Sequence, residues 1–64
     1  MRIRTRITLM ARERGLTAAE VARRLGLYRS NLSAMDAGRR AASVRLLGRL
    51  AEVLGCHPGE LLDT

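Results

Sequence analysis

The chain has 64 residues and one cysteine, and its 12 basic residues, all of them arginine, outnumber 6 acidic residues to give a formal net charge of +6. A chain of this length forms one small domain with little room for a buried catalytic cleft, which argues against an enzyme, and a single cysteine excludes an internal disulfide framework. The apolar runs are too short to span a membrane and no signal-peptide pattern is present, so we expect a cytoplasmic protein.

The first two helices are predicted from apolar residues at helical spacing and from local capping signals. Helix 1 is expected over about residues 3–14. Its apolar face would comprise Ile3, Ile7 and Met10. Helix 2 begins after Thr17, which suits the N-cap position and can form a capping box with Glu20, and it ends at Gly26.

The next segment turns this second helix into part of a larger motif. Helix 3 is expected over about residues 29–37, with Leu32 and Met35 on one face. Gly26 can adopt the left-handed conformation that ends helix 2 within one residue, and Ala22 is small enough for helix 3 to cross closely. This spacing is typical of a helix-turn-helix, which holds its second helix out to enter the DNA major groove.

Two further helices complete the prediction. Helix 4 follows Ser43 as N-cap, and we expect it to be the central and most buried element because its apolar stripe is wide. That stripe comprises Val44, Leu47, Leu50, Ala51 and Leu54, widened by Leu46 and Val53. Gly48 within it indicates either the close approach of another helix or simple tolerance. Helix 5 is short and begins at Pro58, with Leu61 and Leu62 packed inward. The expected fold is all-α, a compact five-helix domain over residues 1–64.

Four segments carry a resemblance, namely MARERGLTAAEVARRLGL, RSNLSAMDAGRR, SVRLLGRLAEVLG and LGCHPGELLD. Together they are similar to the Cro/C1-type (XRE-type) helix-turn-helix domains, over about residues 7–63. The resemblance implies a lambda-repressor-like DNA-binding domain, usually a dimer on a palindromic operator, with helix 3 as the recognition helix.

Three positions depart from the pattern of that family. Ala18 stands where a glutamine often contacts the DNA backbone, and Tyr28 stands where serine or threonine often begins helix 3. Ala11 stands where an arginine often pairs with an acidic residue late in helix 3, so Asp36 is expected to lack that partner.

The face of helix 3 opposite Leu32 and Met35 supplies the candidates for reading bases. They are Arg29, Ser30, Ser33 and Ala34. Arg29 can make a bidentate contact to guanine, with a phosphate contact as the alternative. The serines discriminate weakly, and Ala34 could meet a thymine methyl or simply allow close approach.

Candidates for phosphate contact flank this helix. They are Thr17, Tyr28, Asn31, Arg39 and Arg40. We expect Tyr28 at the groove edge with its hydroxyl on a phosphate, and a place in the core is the alternative. Arg39 and Arg40 follow Gly38 in a loop that should face flanking phosphates. Weaker candidates are Arg23, Arg24, Arg2, Arg4 and Arg6.

Cys56 and His57 invite a metal hypothesis, which we reject because a metal site needs three or four convergent ligands. We expect Cys56 to act as a buried small hydrophobe and His57 to occupy an N-cap position. No cofactor, metal or catalytic residue is expected.

The sequence therefore predicts a sequence-specific DNA-binding transcriptional regulator, a repressor that acts as a homodimer on double-stranded DNA and not at a membrane. Dimer contacts are expected near helix 5 and neighbouring loops, with Leu46 or Val53 as lesser candidates, and a monomer that dimerises only on DNA also fits. Two alternatives stay open. One is an antitoxin-like or other protein-interaction module that also binds DNA, and the other is a non-specific nucleic-acid binder acting through arginine charge alone.

Overall fold

A computed structural model describes residues 3–63 as four α-helices, one 3₁₀ turn and a small two-stranded sheet. The elements in chain order are β1 (Arg4–Thr5), α1 (Ile7–Glu13), α2 (Ala18–Arg24), α3 (Arg29–Asp36), α4 (Val44–Leu54), the 3₁₀ turn (Pro58–Leu61) and β2 (Leu62–Asp63). No helix within residues 3–63 is long and apolar enough to cross a membrane.

The prediction of five α-helices and no strand is wrong at both ends of the fold. Helix 1 begins at Ile7 rather than Ile3, and the residues before it form β1, where Arg4 pairs with Asp63 and Thr5 pairs with Leu62 in the antiparallel sheet. The predicted fifth helix is a single 3₁₀ turn that keeps Leu61 fully buried. Leu62, expected inside that helix, is a half-buried strand residue.

The helix-turn-helix prediction is confirmed in its local detail. Thr17 caps α2: its side chain accepts a hydrogen bond from the Glu20 N–H, and the Glu20 carboxylate accepts one from the Thr17 N–H. Gly26 has a φ of 69°, a left-handed conformation that costs an L residue more than glycine. Buried Ala22 offers a small side chain where α2 packs against α3.

Helix α4 is not the most buried element that its sequence predicts. Only the second half of its stripe is buried, at Leu50, Ala51 and Leu54. Val44 is 87% exposed, and Leu46, Leu47 and Val53 are half-buried at the edge of the core. The helix packs more against the 3₁₀ turn than against α1 or α2, and its first residue lies outside the core.

The core is formed by apolar side chains from every helix and from the 3₁₀ turn. Its buried members are Ile7, Met10, Ala11, Val21, Ala22, Leu25, Leu32, Met35, Leu50, Ala51, Leu54 and Leu61. Arg6, between the first strand and α1, is joined to the 3₁₀ turn by a hydrogen bond of 2.9 Å from its N–H to the Leu61 carbonyl oxygen. This contact holds the beginning and the end of the described chain on the same core.

The carboxylate of Asp36 links α3 to the beginning of α1. One oxygen accepts hydrogen bonds from the Thr5 hydroxyl at 2.6 Å and the Ile7 N–H at 2.8 Å, and the other accepts from the Thr8 N–H at 3.1 Å. The first N–H groups of a helix have no partner within it, and the side chain of Arg6 at the N-cap makes no capping hydrogen bond to α1. Asp36 thus lacks the arginine partner at position 11, as expected, but its carboxylate is not left unpaired, because it caps α1 from another helix.

We predict that Gly48→Ala raises the free energy of unfolding by about 1 kcal/mol, since glycine is a poor helix former. A Cβ at this position would meet no atom within 4 Å, so the interpretation of a close helix approach is wrong. The matched control is Gly55→Ala at the C-cap of the same helix, where a φ of 66° strains any L residue and stability should fall by about 1 kcal/mol. Urea unfolding measures both, and a destabilising Gly48→Ala would contradict this account.

We predict that Asp36→Ala lowers the free energy of unfolding by about 2–3 kcal/mol, because three donors lose a charged acceptor at once. Asp63→Ala removes an equal charge from an exposed strand residue and should cost less than about 0.5 kcal/mol. Equal losses in urea unfolding of the two variants would show that the cap contributes little.

Candidate nucleic-acid interface

Helix α3 has one buried face and one open face, and the open face carries the predicted base-reading residues. Leu32 and Met35 are buried against the core. Arg29, Ser30 and Ser33 are exposed, and Ala34 is half-buried. The structure therefore brings the four side chains to one accessible surface, with arginine in the first turn and smaller groups further along.

Tyr28 stands at the N-cap position of α3 and is 79% exposed. This exposure rules out the alternative in which its ring fills the core. Its side chain makes no capping hydrogen bond to the helix, and the half-buried Leu27 supplies the apolar contact after the turn. The phenol is thus held at the entrance of α3 with its hydroxyl available to a partner.

The side chains of two further predicted phosphate contacts, Thr17 and Asn31, are partly engaged or partly buried within the protein. The Thr17 hydroxyl is engaged with the Glu20 side chain at 3.1 Å and accepts the Glu20 N–H, so it already serves α2. Asn31 is half-buried on α3. A phosphate contact by either residue remains a prediction.

Arg39 and Arg40 lie in the loop that leaves α3, and both side chains are exposed. The backbone of this loop is fixed, because the N–H groups of both residues donate to the Ala34 carbonyl oxygen at 2.9 and 3.3 Å. Gly38 before them is buried and has a φ of 78°, which lets the chain turn away from the helix. Two positive charges therefore project from a well-defined position beside the open face of α3.

Several other arginines have structural partners instead. The Nε–H groups of Arg4, Arg6 and Arg14 donate to the carbonyl oxygens of Asp36, Glu60 and Leu54 at 3.2, 2.8 and 2.8 Å. Two members of the N-terminal basic run thus help to hold the fold, while Arg2 lies outside the described residues. Arg23 and Arg24 are exposed on the last turn of α2.

The structure adds one residue that the sequence did not single out. Arg12, in the last turn of α1, lines a surface hollow of about 350 Å³ together with Arg29. The rest of the lining is Thr8, Leu16, Thr17, Ala18 and Ala19. We name this feature the Arg12 hollow. Only the packing of α1 beside the helix-turn-helix brings the two arginines together, so no local sequence signal marks the pair.

Cys56 and His57 follow the C-terminal end of α4 and play separate roles. Burial raises the pKa of the Cys56 thiol, the nearby Glu60 raises it further, and Arg14 opposes them. The side chain is half-buried against the core, somewhat more open than expected. The His57 N–H donates to the Glu60 carboxylate at 2.7 Å, as at an N-cap position. Residues 3–63 hold no group of three or more potential metal ligands.

Comparisons with known proteins agree with this geometry. Residues 6–64 match the family profile described as the Cro/C1-type HTH DNA-binding domain. A search of curated proteins finds no match. Among solved structures, the crystal structure of a proposed DNA-binding protein from Bacteroides fragilis aligns with a TM-score of 0.83 and 23% identity, over 95% of this chain and 98% of that chain. At this identity the structural likeness establishes a shared fold alone.

Proposed function

The chain belongs to the Cro/C1-type HTH DNA-binding domain family, and from that premise we propose that residues 1–64 act as one domain that regulates transcription by binding a specific DNA sequence. The observation that carries this proposal is the open face of α3. Its accessible side chains include an arginine and two serines, while its apolar side chains are buried. An α-helix of this kind fits the major groove, where base edges can be distinguished.

We assign the reading of bases to Arg29, Ser30, Ser33 and Ala34. Arg29 lies at the first position of α3, the end that penetrates deepest in this docking mode, and its guanidinium can bond guanine O6 and N7 together. The hydroxyls of the serines can donate or accept and therefore add a weaker preference. Ala34 suits an apolar contact with a thymine methyl.

We assign positioning on the DNA backbone to Tyr28, Arg39 and Arg40, with Thr17 and Asn31 as further contacts. The exposure of the first three side chains and the fixed loop that carries the arginines support this assignment. Contacts to phosphate set the register of the protein on the duplex but carry no sequence information themselves. The net charge of +6 favours the same polyanionic partner.

The regulator we propose is a repressor that works as a homodimer. A bound domain blocks competing proteins by occupying its operator, which requires no further surface.

An apolar hollow of about 520 Å³ supports contact between two copies, and we name it the Val44 hollow. Its lining residues are Ile3, Thr5, Gly38, Arg39, Arg40, Ala41, Ala42, Val44, Leu47 and Leu62. Two copies would read half-sites about 34–36 Å apart, one turn of the double helix.

We predict a preferred duplex from selection out of a random DNA pool, bound roughly 10³-fold or more tightly than random DNA at physiological salt. Affinities for both duplexes are measured over a range of salt concentrations. Equal affinities with the same steep salt dependence would instead support the non-specific nucleic-acid binder. A tightly co-purifying protein that controls DNA binding would favour the antitoxin-like alternative.

Within the same experiment, Arg29→Ala should relax the preference at one base position by about 1–3 kcal/mol. Arg39→Ala should weaken binding about equally for all sequences and reduce the salt dependence by about one charge. The two variants are matched because each removes one exposed arginine. The opposite pattern would mean that their roles are exchanged.

We predict that Val44→Ser weakens binding to the full operator but leaves binding to an isolated half-site unchanged. Val44 is 87% exposed, so the substitution should cost the fold little, yet it removes apolar surface from the Val44 hollow. Leu9→Ser is the control, since Leu9 is 49% exposed on α1 and does not line that hollow. Unchanged cooperativity between half-sites in titrations of Val44→Ser would place the dimer contact elsewhere, for instance near the 3₁₀ turn.

A further inference from the structure

The Val44 hollow lies between the small sheet, the loop after α3 and the first turns of α4. Ile3, Thr5 and Leu62 line it from the side of the sheet, and Val44 and Leu47 line it from α4. Its volume of about 520 Å³ falls within the range of about 300–1,000 Å³ that is typical of small-molecule pockets in proteins. The hollow is therefore large enough to hold a ligand.

The interior of the hollow suits an apolar body. Val44 is 87% exposed and Ile3 is 54% exposed, so both present apolar surface that a ligand can cover. The buried Thr5 hydroxyl donates to the Asp36 carboxylate at 2.6 Å, so its one O–H donor is already used. Covering exposed apolar side chains removes their surface from water and favours binding.

Positive charge borders the same hollow. Arg39 and Arg40 line it with exposed side chains, and none of its described lining residues is acidic. The backbone N–H groups of both arginines already donate to the Ala34 carbonyl oxygen, so their guanidinium groups are the donors offered to a ligand. A guanidinium presents paired N–H donors that match the two oxygens of a carboxylate. The rim therefore favours an anionic head group beside the apolar body.

We propose that the Val44 hollow binds a small carboxylic acid with an apolar body, and that this ligand weakens the binding of DNA. The effect on DNA rests on the proposed function, in which Arg39 and Arg40 contact phosphates and the hollow receives a second copy. The carboxylate pairs with these two guanidinium groups, and the apolar body covers the surface of the dimer contact. Ligand and operator therefore oppose each other, whereas binding of the ligand itself requires no DNA.

The first test is an NMR titration of the chain, without DNA, with octanoate, 1-octanol and acetate. Octanoate should shift the methyl signals of Ile3, Val44, Leu47 and Leu62. It should bind roughly tenfold more tightly than 1-octanol, because only its head group makes charged hydrogen bonds to arginine. Acetate, which has the head group without the body, should cause no comparable shift.

Three results of this titration would overturn the proposal. The first is equal binding of octanoate and 1-octanol, and the second is an octanoate response confined to residues outside the hollow. The third is a set of hollow signals that respond to protein concentration and not to octanoate, since a second copy would then be the occupant.

Two pairs of variants test the two parts of the site. Val44→Glu puts a negative charge in the wall, at the first position of α4 where an acidic residue suits the helix, and should weaken octanoate binding roughly tenfold. Leu9→Glu is its control, with the same charge change on α1 outside the hollow. Arg39→Ala should lower the preference for octanoate over 1-octanol severalfold, whereas Arg49→Ala, at an exposed position on α4, should retain it.

Thermal unfolding shows which of these variants keep the fold, and either intact pair decides the matter. Equal octanoate binding by a variant and its control would reduce the effect to net charge and overturn the proposal.

The second test measures the binding of the selected operator duplex by the wild-type chain. Saturating octanoate should lower the affinity roughly tenfold, and acetate at the same concentration, which matches the ionic strength, should not. Octanoate that fills the hollow but leaves the affinity unchanged would overturn the coupling to DNA. A chain with no preferred duplex would refute the proposed function, and the titration without DNA would still decide whether the ligand site exists.

Discussion

The fold depends on the hydrogen bonds that the Asp36 carboxylate makes to the beginning of α1. Because this residue ends α3, one side chain ties the helix assigned to the major groove to the first strand and the first helix. N–H groups left without a partner in a partly buried place are costly, and the residue before α1 offers no cap of its own. The angle at which α3 leaves the core is thus fixed by a contact 29 residues away in sequence. The rest of the helix-turn-helix is built around that anchor.

The arginines divide into structural and free groups, and this division shapes the surface. Three of them donate to backbone carbonyl oxygens that the ends of helices and turns leave available, so part of the positive charge stabilises the fold. Those near α3 keep their side chains exposed, at Arg12, Arg29, Arg39 and Arg40. Four further arginines are exposed away from α3, at Arg23, Arg24, Arg45 and Arg49. Arginine therefore both stabilises the fold and supplies exposed positive charge around the open helix and elsewhere.

Features set by neighbouring residues could be predicted, and features set by distant ones could not. The Thr17–Glu20 capping box, the Ser43 cap and the turn at Gly26 depend on a few adjacent residues, and each forms as expected. The alternation of exposed Arg4 and Arg6 with buried Thr5 and Ile7 is a strand signal, but so short a strand is stable only beside β2 at the far end of the chain. The same holds for the cap from Asp36 and for the meeting of Arg12 with Arg29, which exist only after the helices pack. Val44 fits the apolar stripe of α4 by spacing, yet that stripe is longer than the core it covers.

The pairing of Arg4 with Asp63 has a consequence for the order of events during protein synthesis. Contacts between residues far apart in sequence form late, because the intervening chain must first be made and closed into a loop. The first strand therefore stays unpaired until Asp63 has been made, so the sheet is among the last contacts to form. A chain cut short within α4 would lack that partner and would keep the first strand as an open edge.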